Sequence, residues 1–463
     1  MPQSEARTLR SMLAAAGDLT GRFFASAETR IPLAQMLCGS VLSNRADDLR
    51  GRSVLIATTD NASTAAALIE LDGVASRLLL YPAALPSEHL PFVLDTAGID
   101  AVVFDRPPIA ALRKRALFFV PCTRNVEAAA REQTVPTETE WVLLTSGTTG
   151  RPKLVSHTLA SLTGAIRPGR DHGDPTVWSP LFDLRRFGGI QVFFRAVASG
   201  SSLVLSSPSE SMAEFLSRMA FLGATHICGT PSQWRSVLMS PTASELKPRY
   251  IRLGGEIADD GILANLRSRF PKTEIVHSFA STEAGVAFVV KDGHAGFPRS
   301  LLGETPDVEM KIRNQTLCIR SRRTAQRYLG DGAPPLKDAE GFVDTGDLIE
   351  SREGRCLFVG RRDGLINVGG LKVAPEEVEA VINRHPDVHM SLVRAKKNRV
   401  TGAIVVADVV LKEKREAPSR DLQEVRSEIL VCCRKLLTRH KVPTTITFVP
   451  NLSVAASGKI MRN

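Results

Sequence analysis

Short apolar runs alternate with amphipathic segments along the first two thirds of the chain. Runs at 54–57, 77–81 and 101–104 have the length of buried strands, and segments 63–71 and 88–97 have helical periodicity. The same rhythm continues in the segments 202–206, 212–221, 250–254, 261–269 and 274–279. Strands that alternate with helices favour parallel sheets, so this pattern predicts a large α/β region.

The pattern changes to short strands and turns after Pro298, which predicts a β-rich subdomain over about residues 298–360. Beyond the glycine-flanked segment 360–364, we expect a helix, a hairpin, an amphipathic helix and a strand, at 376–383, 390–411, 421–438 and 445–449. The predicted fold class is therefore α/β. A large N-terminal region of parallel-rich sheets (1–360) precedes a hinge (361–364) and a small, mobile α+β C-terminal domain (365–463).

The composition is that of an ordinary globular protein, with 43% hydrophobic and 23% charged residues. No apolar run approaches the roughly 18 residues that a membrane span needs, and the N-terminus lacks a secretory pattern. We therefore expect a cytoplasmic protein. The seven cysteines are scattered and lack paired metal-ligand spacing, which favours reduced thiols. Cys432 and Cys433 lie in the amphipathic helix, so packing is the simpler interpretation of the pair.

The net charge is +10, and from Gly364 onwards 17 Lys and Arg residues face 10 Asp and Glu residues. Such a balance favours anionic partners, namely nucleotides, coenzyme A or an acidic protein. A solvated basic surface is the alternative. Nucleic-acid binding is disfavoured, because the chain has only three Trp and three Tyr and no basic tract interleaved with aromatic residues.

A glycine- and hydroxyl-rich loop follows the apolar run 141–144 and ends in a lysine. Glycines let backbone N–H groups approach an anion, and the hydroxyls and the lysine add donors and charge. The spacing matches neither the Walker sequence nor the dinucleotide-binding glycine pattern. A phosphate cradle and an ordinary polar turn are both compatible with this loop alone. The candidate phosphate-binding residues are Thr145, Ser146, Gly147, Thr148, Thr149, Gly150 and Lys153.

Two further segments, Gly254-Gly255-Glu256 and Phe279 to Glu283, also follow predicted strands. Ligands of open α/β sheets bind at the carboxyl ends of strands, so one crevice could collect both segments and the loop. The alternatives without a ligand are purely structural: a turn that ends a strand at the glycines, and a helix-capping turn at Ser281-Thr282-Glu283.

Six motifs occur in a fixed order along the chain: the loop 145–153, Ser281-Thr282-Glu283, Asp344-Thr345-Gly346-Asp347, Gly360-Arg361-Arg362-Asp363, the segment 368–379 and Ser457-Gly458-Lys459. This order resembles the adenylate-forming superfamily of acyl-CoA synthetases, nonribosomal adenylation domains and firefly-type luciferases. The resemblance runs from about residue 50 to the end of the chain. It implies activation of a carboxylate by ATP to an acyl-adenylate and pyrophosphate, followed in most members by transfer to a thiol.

The resemblance also implies roles for individual residues. The loop 145–153 would hold the β- and γ-phosphates, Thr282 the α-phosphate, and Glu283 a Mg²⁺ ion. Gly254, Gly255 and Glu256 would lie at the nucleotide. Phe279 stands where the family usually has a tyrosine against the adenine, so stacking is kept and a phenolic hydrogen bond is lost.

Three more roles follow from the resemblance. Asp347 would accept hydrogen bonds from the ribose hydroxyls, with Arg361 contributing from the hinge side. Asp363 would be the hinge about which the small domain rotates between the two half-reactions. Lys459 would reach the carboxylate and the α-phosphate together and stabilise the transition state. The usual proline-containing approach to this lysine is replaced by residues 453–456.

The acid pocket is harder to assign. Asp183 stands near a position where acyl-CoA synthetases commonly carry histidine, and Phe-Asp is typical of amino-acid adenylation domains, where the carboxylate pairs with an ammonium. Arg185 and Arg186 could instead neutralise Asp183 in a structural ion pair. Trp234 is either a pocket wall or a core residue.

Three functions are therefore weighed. The first is an ATP-dependent acid-thiol ligase, an acyl- or aryl-CoA synthetase that uses Mg²⁺ and coenzyme A. The second is an adenylation enzyme that loads an amino or fatty acid onto a separate carrier protein. The third is a weakened nucleotide-binding protein, suggested by the departures at Phe279 and around residue 454.

Overall fold

The computed structural model describes residues 7–83, 85–129, 135–145, 151–167, 175–399, 401–412 and 421–452. Its α-helices are α1 (Leu9–Ala14), α2 (Asn61–Leu71), α3 (Leu90–Ala97), α4 (Ala110–Arg113), α5 (Leu159–Thr163), α6 (Phe187–Ser199), α7 (Met212–Phe221), α8 (Pro231–Met239), α9 (Asp260–Arg269), α10 (Pro375–Ile382) and α11 (Leu422–Leu436).

The strands of the large region begin with β1 (Phe23–Ala25), β2 (Arg30–Pro32), β3 (Gly39–Ser40), β4 (Ser53–Ile56), β5 (Arg77–Leu80), β6 (Ala101–Phe104), β7 (Phe118–Pro121) and β8 (Glu127–Ala128). They continue with β9 (Glu140–Thr145), β10 (Lys153–Thr158), β11 (Val177–Pro180), β12 (Ser202–Val204), β13 (His226–Gly229), β14 (Tyr250–Gly254), β15 (Glu274–Ser281) and β16 (Gly285–Val290).

The remaining strands are β17 (Phe297–Pro298), β18 (Gly303–Glu304), β19 (Val308–Arg313), β20 (Thr316–Ser321), β21 (Arg327–Tyr328), β22 (Val343–Arg352), β23 (Arg355–Arg361), β24 (Ile366–Val368), β25 (Leu371–Val373), β26 (Val388–Asn398), β27 (Gly402–Leu411) and β28 (Thr445–Phe448).

Two large sheets with mainly parallel strands form the first part of the molecule. One has the order β21-β10-β9-β5-β4-β6-β7 and the other β16-β15-β14-β13-β11-β12-β1-β2. Helices α2 and α6 contribute to one core together with strands of both sheets. Every residue of the alanine-rich α2 is buried, and the Asp60 side chain caps it by accepting from the Ser63 N–H. Small side chains let this helix pack closely, so the two sheets share one interior.

A six-stranded antiparallel sheet follows, in the order β17-β23-β22-β20-β19-β18. Its apolar face packs with Phe288 and Phe297 in a separate core cluster. This sheet lies where the sequence predicts a β-rich subdomain. It carries both Asp347 on β22 and Arg361 on β23, which are cross-strand partners.

The last part of the chain builds its own small core from the sheet β26-β27-β28 with α10 and α11. Cys433 is fully buried in this core and Cys432 packs at its margin, so the packing interpretation of the cysteine pair is confirmed. All seven cysteines are free thiols. The predicted fold class, α/β with a β-rich sheet and a small α+β C-terminal part, is confirmed.

No helix in the described ranges is both long and apolar enough to cross a membrane. Within the same ranges, no group of three or more His, Cys, Asp or Glu side chains is arranged to hold a metal ion.

The small C-terminal part touches the large region through a buried histidine. Nε2 of His389 on β26 donates to the Arg235 carbonyl oxygen of α8 over 3.0 Å. Burial, aided by the charges of Arg235 and Lys412, lowers the pKa of His389 from 6.5 to about 4. The neutral ring is therefore the form that fits this contact.

We expect stability to fall as the pH drops from about 6.5 towards about 4, because the unfolded chain takes up a proton that folded His389 refuses. Above pH 6.5 His389 is neutral in both the folded and the unfolded chain, so its ionisation does not reduce stability there. Below that pH the free energy of unfolding falls by roughly 3 kcal/mol at most on its account. Urea unfolding across this range measures it. His389→Asn should make the pH slope shallower, while buried His157 keeps its own share of it, and the exposed control His294→Gln should leave it unchanged; an unaltered slope in His389→Asn would contradict this assignment.

Candidate functional site

Thr145 and Lys153 mark the two ends of the glycine-rich loop, and they are cross-strand partners at the same end of β9 and β10. Both strands have buried apolar residues at 142–144 and 154–155, which fixes the register of the pair. The antiparallel pairing means that the chain leaves β9 and returns directly beside it. Ser146, Gly147, Thr148, Thr149 and Gly150 lie outside the described residues.

Lys153 and Glu283 meet across the ring of Tyr328. The Lys153 Nζ lies 5.3 Å from the Tyr328 ring centroid, and the Tyr328 Oη donates to Glu283 Oε1 over 3.3 Å. Tyr328 belongs to the short strand β21, which pairs with β10 at Val155. A cation and a carboxylate more than a hundred residues apart in sequence therefore flank one aromatic side chain.

The segment Ser281-Thr282-Glu283 lies in the tight turn that joins the antiparallel strands β15 and β16. The Ser281 Oγ accepts from the Ala284 N–H over 3.0 Å, and no helix begins here. The helix-capping alternative is therefore wrong, because strand pairing resumes at once on the far side of the turn. The strand itself also runs two residues beyond its predicted end at Phe279.

His157 fixes this turn from the neighbouring sheet. Its Nε2 donates to the Thr282 carbonyl oxygen over 2.7 Å, and its Nδ1 contacts the Ser161 hydroxyl at 2.9 Å. Burial lowers the pKa of His157 to about 4, so the ring is neutral near pH 7. One nitrogen then donates while the other accepts, which suits these two partners. His157 thereby holds β10, the strand that follows the glycine-rich loop, against the turn at Thr282.

Gly254 ends β14 beside this turn, and Gly255 and Glu256 follow it. Gly254 is the cross-strand partner of Ser278, and a Cβ at Gly254 would lie 3.3 Å from the Ser278 Oγ. Gly255 has φ +81°, a conformation that strains other L-residues. The Glu256 carboxylate accepts from the Ser232 N–H over 2.9 Å, in the first turn of α8. The glycines keep this strand end free of side chains next to β15.

Phe279 packs against the six-stranded sheet. Its ring is nearly parallel to that of Phe358, at 5.2 Å between centroids and 6° between planes, and it also stacks near Phe288. Phe279 is partly buried, so part of its side chain stays accessible. A stacking role towards a base stays a prediction.

Asp347 and Arg361 approach one another across β22 and β23, with 4.0 Å between Oδ1 and Nη1. The Arg361 side chain is 52% exposed and also lies 3.9 Å from the Asp363 carboxylate. Asp344 pairs with Arg362 at 2.8 Å. Asp344 and Asp347 lie within strand β22, and Arg361 ends its partner β23. Asp363 sits in the short 3-10 helix 362–364 between the two parts of the chain.

Asp183 lies in an ion pair with Arg185, at 3.3 Å between Oδ1 and Nη1. Arg185 is buried and also donates to Asn61 Oδ1 at 2.8 Å and Thr64 Oγ1 at 2.9 Å, both on α2. Asp183 Oδ1 accepts from the Arg185 N–H as well. This geometry favours the structural ion pair over an ammonium site, because the carboxylate is committed to a buried guanidinium.

Trp234 is fully buried and packs edge-on against Phe270, with 6.2 Å between ring centroids. It belongs to the core on the face of the eight-stranded sheet that includes Ile227, Ile251 and Leu253. This placement favours the core interpretation of Trp234 over the pocket wall. Lys459 lies outside the described residues.

Sequence reasoning missed His157 and Tyr328. His157 follows Lys153 at an even spacing, which puts both on the same face of β10, and this signal could have marked it. Tyr328 carries no local signal, since only the pairing of β21 with β10 brings it to the site.

Two models from one enzyme family match separate parts of this chain. A model of AMP-binding enzymes matches residues 52–329, and a model of the AMP-binding enzyme C-terminal domain matches residues 377–459. A mitochondrial medium-chain acyl-CoA ligase of Rattus norvegicus is 25% identical over 428 residues. That match covers 82% of this chain and 65% of the relative, so the chain spans about two thirds of that protein's length.

Solved structures agree with the fold. An anthranilate CoA ligase in complex with anthranoyl-AMP has a TM-score of 0.80 at 18% identity, covering 99% of this chain and 96% of the other. The o-succinylbenzoate coenzyme A synthetase of Bacillus subtilis, in complex with ATP and magnesium ion, has a TM-score of 0.72 at 19% identity, covering 97% and 98%. At these identities the likeness shows the fold alone. With both family models matched, this chain belongs to the AMP-binding enzyme family.

Proposed function

We propose that the protein is an AMP-forming acid-thiol ligase, which activates a carboxylic acid with ATP and then transfers the acyl group to coenzyme A. The observation that carries this proposal is the meeting of Lys153 and Glu283 around Tyr328, at the carboxyl end of β15 and beside the loop strand β10. Family membership and the ligase relative support the same reaction.

The charges suit attack of a carboxylate on a triphosphate. The two reactants repel one another, and displacement at the α-phosphorus leaves negative charge on pyrophosphate. Lys153 would meet the charge of the β- and γ-phosphates, and Thr282 would hydrogen-bond the α-phosphate. His157 is a positioning residue, since it holds the backbone of Thr282 and not the substrate.

Glu283 suits a hard cation. One carboxylate oxygen accepts from Tyr328, and the second is compatible with a Mg²⁺ ion that takes its other ligands from phosphates and water. Mg²⁺ bound there would offset phosphate charge and hold the triphosphate in one orientation.

The nucleoside end would lie between β14 and the six-stranded sheet. Asp347 would accept from the ribose hydroxyls, with Arg361 beside it, and the stacked rings of Phe279 and Phe358 offer an apolar surface near the base. Gly254 and Gly255 would leave room for the backbone to approach, and Glu256 would hold the start of α8 alongside. Lys459 would supply charge at the reacting carboxylate, with Asp363 as the hinge.

Coenzyme A is proposed as the acceptor in place of a carrier protein. The ligase relative supports it, and exposed basic residues of the C-terminal part, Lys372, Lys396 and Lys397, could meet its phosphates. Loading of a separate carrier protein is the competing outcome.

The test is an ATP–pyrophosphate exchange assay with a panel of carboxylic and amino acids. We expect ATP- and Mg²⁺-dependent exchange with one class of carboxylic acid. Exchange with amino acids alone would favour the carrier-loading alternative, and no exchange with any acid would leave only the weakened nucleotide-binding protein.

A further inference from the structure

Arg195, in the last turns of α6, is a cation for which the described part of the chain supplies no carboxylate partner. It is partly buried, and the hydrogen bond that the described residues make to it is to its backbone carbonyl oxygen and not to its guanidinium. Its charged surroundings are two further arginines, Arg252 and Arg323. Burial, with the Arg252 charge next in size, lowers the pKa of Arg195 to about 10. The group remains a cation near pH 7, and no described carboxylate offsets its charge.

Arg252 faces Arg195 from the sheet. It is the cross-strand partner of Cys228, and Cys228 belongs to the core that contains α6. Neighbouring partners in a parallel sheet point to the same side, so Arg252 also points towards α6. The charges of Arg252 and Arg195 both act to lower the pKa of the Cys228 thiol, against the larger effect of its burial. Arg252 Nε donates to the Ser278 Oγ over 2.9 Å, which fixes the base of its guanidinium.

Arg323 is different, because it is already neutralised. Its Nη2 pairs with Asp307 at 2.7 Å, and its Nη1 donates to the Val286 carbonyl oxygen. Two partly buried guanidinium groups for which the described residues supply no counterion repel each other and lose hydration. An anion between Arg195 and Arg252 would relieve both costs, and it could accept the fork-like hydrogen bonds that arginine offers.

The position of Arg252 on β14 gives its distance from Gly254, near which the carboxylate of the substrate would react. Arg252 precedes Gly254 by two residues, on the same face and about 7 Å deeper at the rise of a strand. Two residues deeper again lies Tyr250, which stacks on His226 at 5.3 Å, and His226 in turn meets Trp178 at 4.7 Å. This aromatic row forms a floor below the arginines. A group held by them would therefore be the far end of a short substrate.

We propose that Arg195 and Arg252 bind a second anionic group of the acid, so that the preferred substrate is a short dicarboxylic acid. The inference rests on the proposed function, because it assumes that the first carboxylate reacts near Gly254 and Thr282. The second carboxylate takes no part in the bond changes and serves recognition alone.

The experiment compares kcat/KM of pyrophosphate release for α,ω-dicarboxylic acids from succinate to suberate with the monocarboxylic acids of the same chain lengths. We expect at least one diacid to exceed its matched monoacid by about 10- to 100-fold, the value of a charged hydrogen-bonded contact. Arg195→Met, similar in length but neutral, should collapse this ratio mainly through KM. Arg195→Lys should retain part of it, and the surface control Arg269→Gln all of it.

The outcomes distinguish a failure of the dicarboxylic-acid inference from a failure of the proposed function. Monoacids used as well as or better than diacids by the wild-type protein would overturn this inference and leave the proposed function intact. An equal loss for both acid classes in Arg195→Met would also overturn it, since that pattern marks a structural role. No turnover with any acid would overturn the proposed function itself. The wild-type panel is decisive even if Arg195→Met fails to fold.

Discussion

Replacing Glu283 by glutamine is expected to lower ATP–pyrophosphate exchange by about 100- to 1,000-fold. Glutamine has nearly the same shape, and its carbonyl oxygen can still accept from Tyr328, so the turn between β15 and β16 should be kept. The lost charge weakens Mg²⁺ binding and thereby the hold on the triphosphate. The measurement is the exchange rate as a function of Mg²⁺ concentration, which should shift to higher concentrations in the variant.

Two control variants distinguish the loss of the Glu283 charge from a structural change at the site. Glu138→Gln removes a carboxylate from an exposed position and should leave exchange unchanged. Tyr328→Phe keeps the ring under Lys153 and deletes only the hydroxyl, so its effect should be much smaller than that of Glu283→Gln. Exchange at the wild-type rate and with the wild-type Mg²⁺ dependence in Glu283→Gln would remove this residue from the site.

Lys459→Ala is expected to abolish acyl-adenylate formation while ATP binding stays largely intact. The family resemblance places this lysine at the carboxylate and the α-phosphate, where charge changes during the reaction, whereas Lys153 serves the leaving group. The loss should therefore appear in kcat of adenylation and not in the dissociation constant of ATP. Exchange kinetics and equilibrium binding of ATP measure the two quantities separately.

The matched control is Lys435→Ala, on the exposed side of α11. It lowers the basic charge of the C-terminal part by the same amount and should leave adenylation unchanged. Full exchange activity in Lys459→Ala would overturn the role of Lys459, and an equal loss in both variants would point to overall charge instead.

The hydrophobic pattern predicted the fold well because each strand and helix buries one face of its own. The apolar runs predicted at 54–57 and 101–104 form neighbouring parallel strands, and the periodic segment predicted at 421–438 forms one helix, Leu422–Leu436, with Val425 and Ile429 buried. Ends were less accurate, as at β15, because pairing with β16 extends the strand past Phe279. Pairing is a property of two segments, which one segment cannot reveal.

The site divides in the same way. Glycine and hydroxyl motifs are local, so Gly254 and Thr282 could be found from sequence. His157 joins Thr282, and Tyr328 joins Glu283, only through sheet pairing across the fold. The sequence left two roles for Trp234, a pocket wall and a core residue. Its packing with alternate residues of β13 and β14 favours the core. Arg195 belongs to no sequence motif. Its proposed role in substrate binding rests on the lack of a partner for its charge among the described residues.

Product identification by mass spectrometry tests the central claim most directly. The protein would be incubated with ATP, Mg²⁺ and an acid that supports exchange, first without and then with coenzyme A. We predict an acyl-adenylate in the first reaction, and acyl-CoA with an equal amount of AMP in the second. Formation of ADP and phosphate, or no nucleotide product with any acid of the panel, would contradict the proposed AMP-forming ligase.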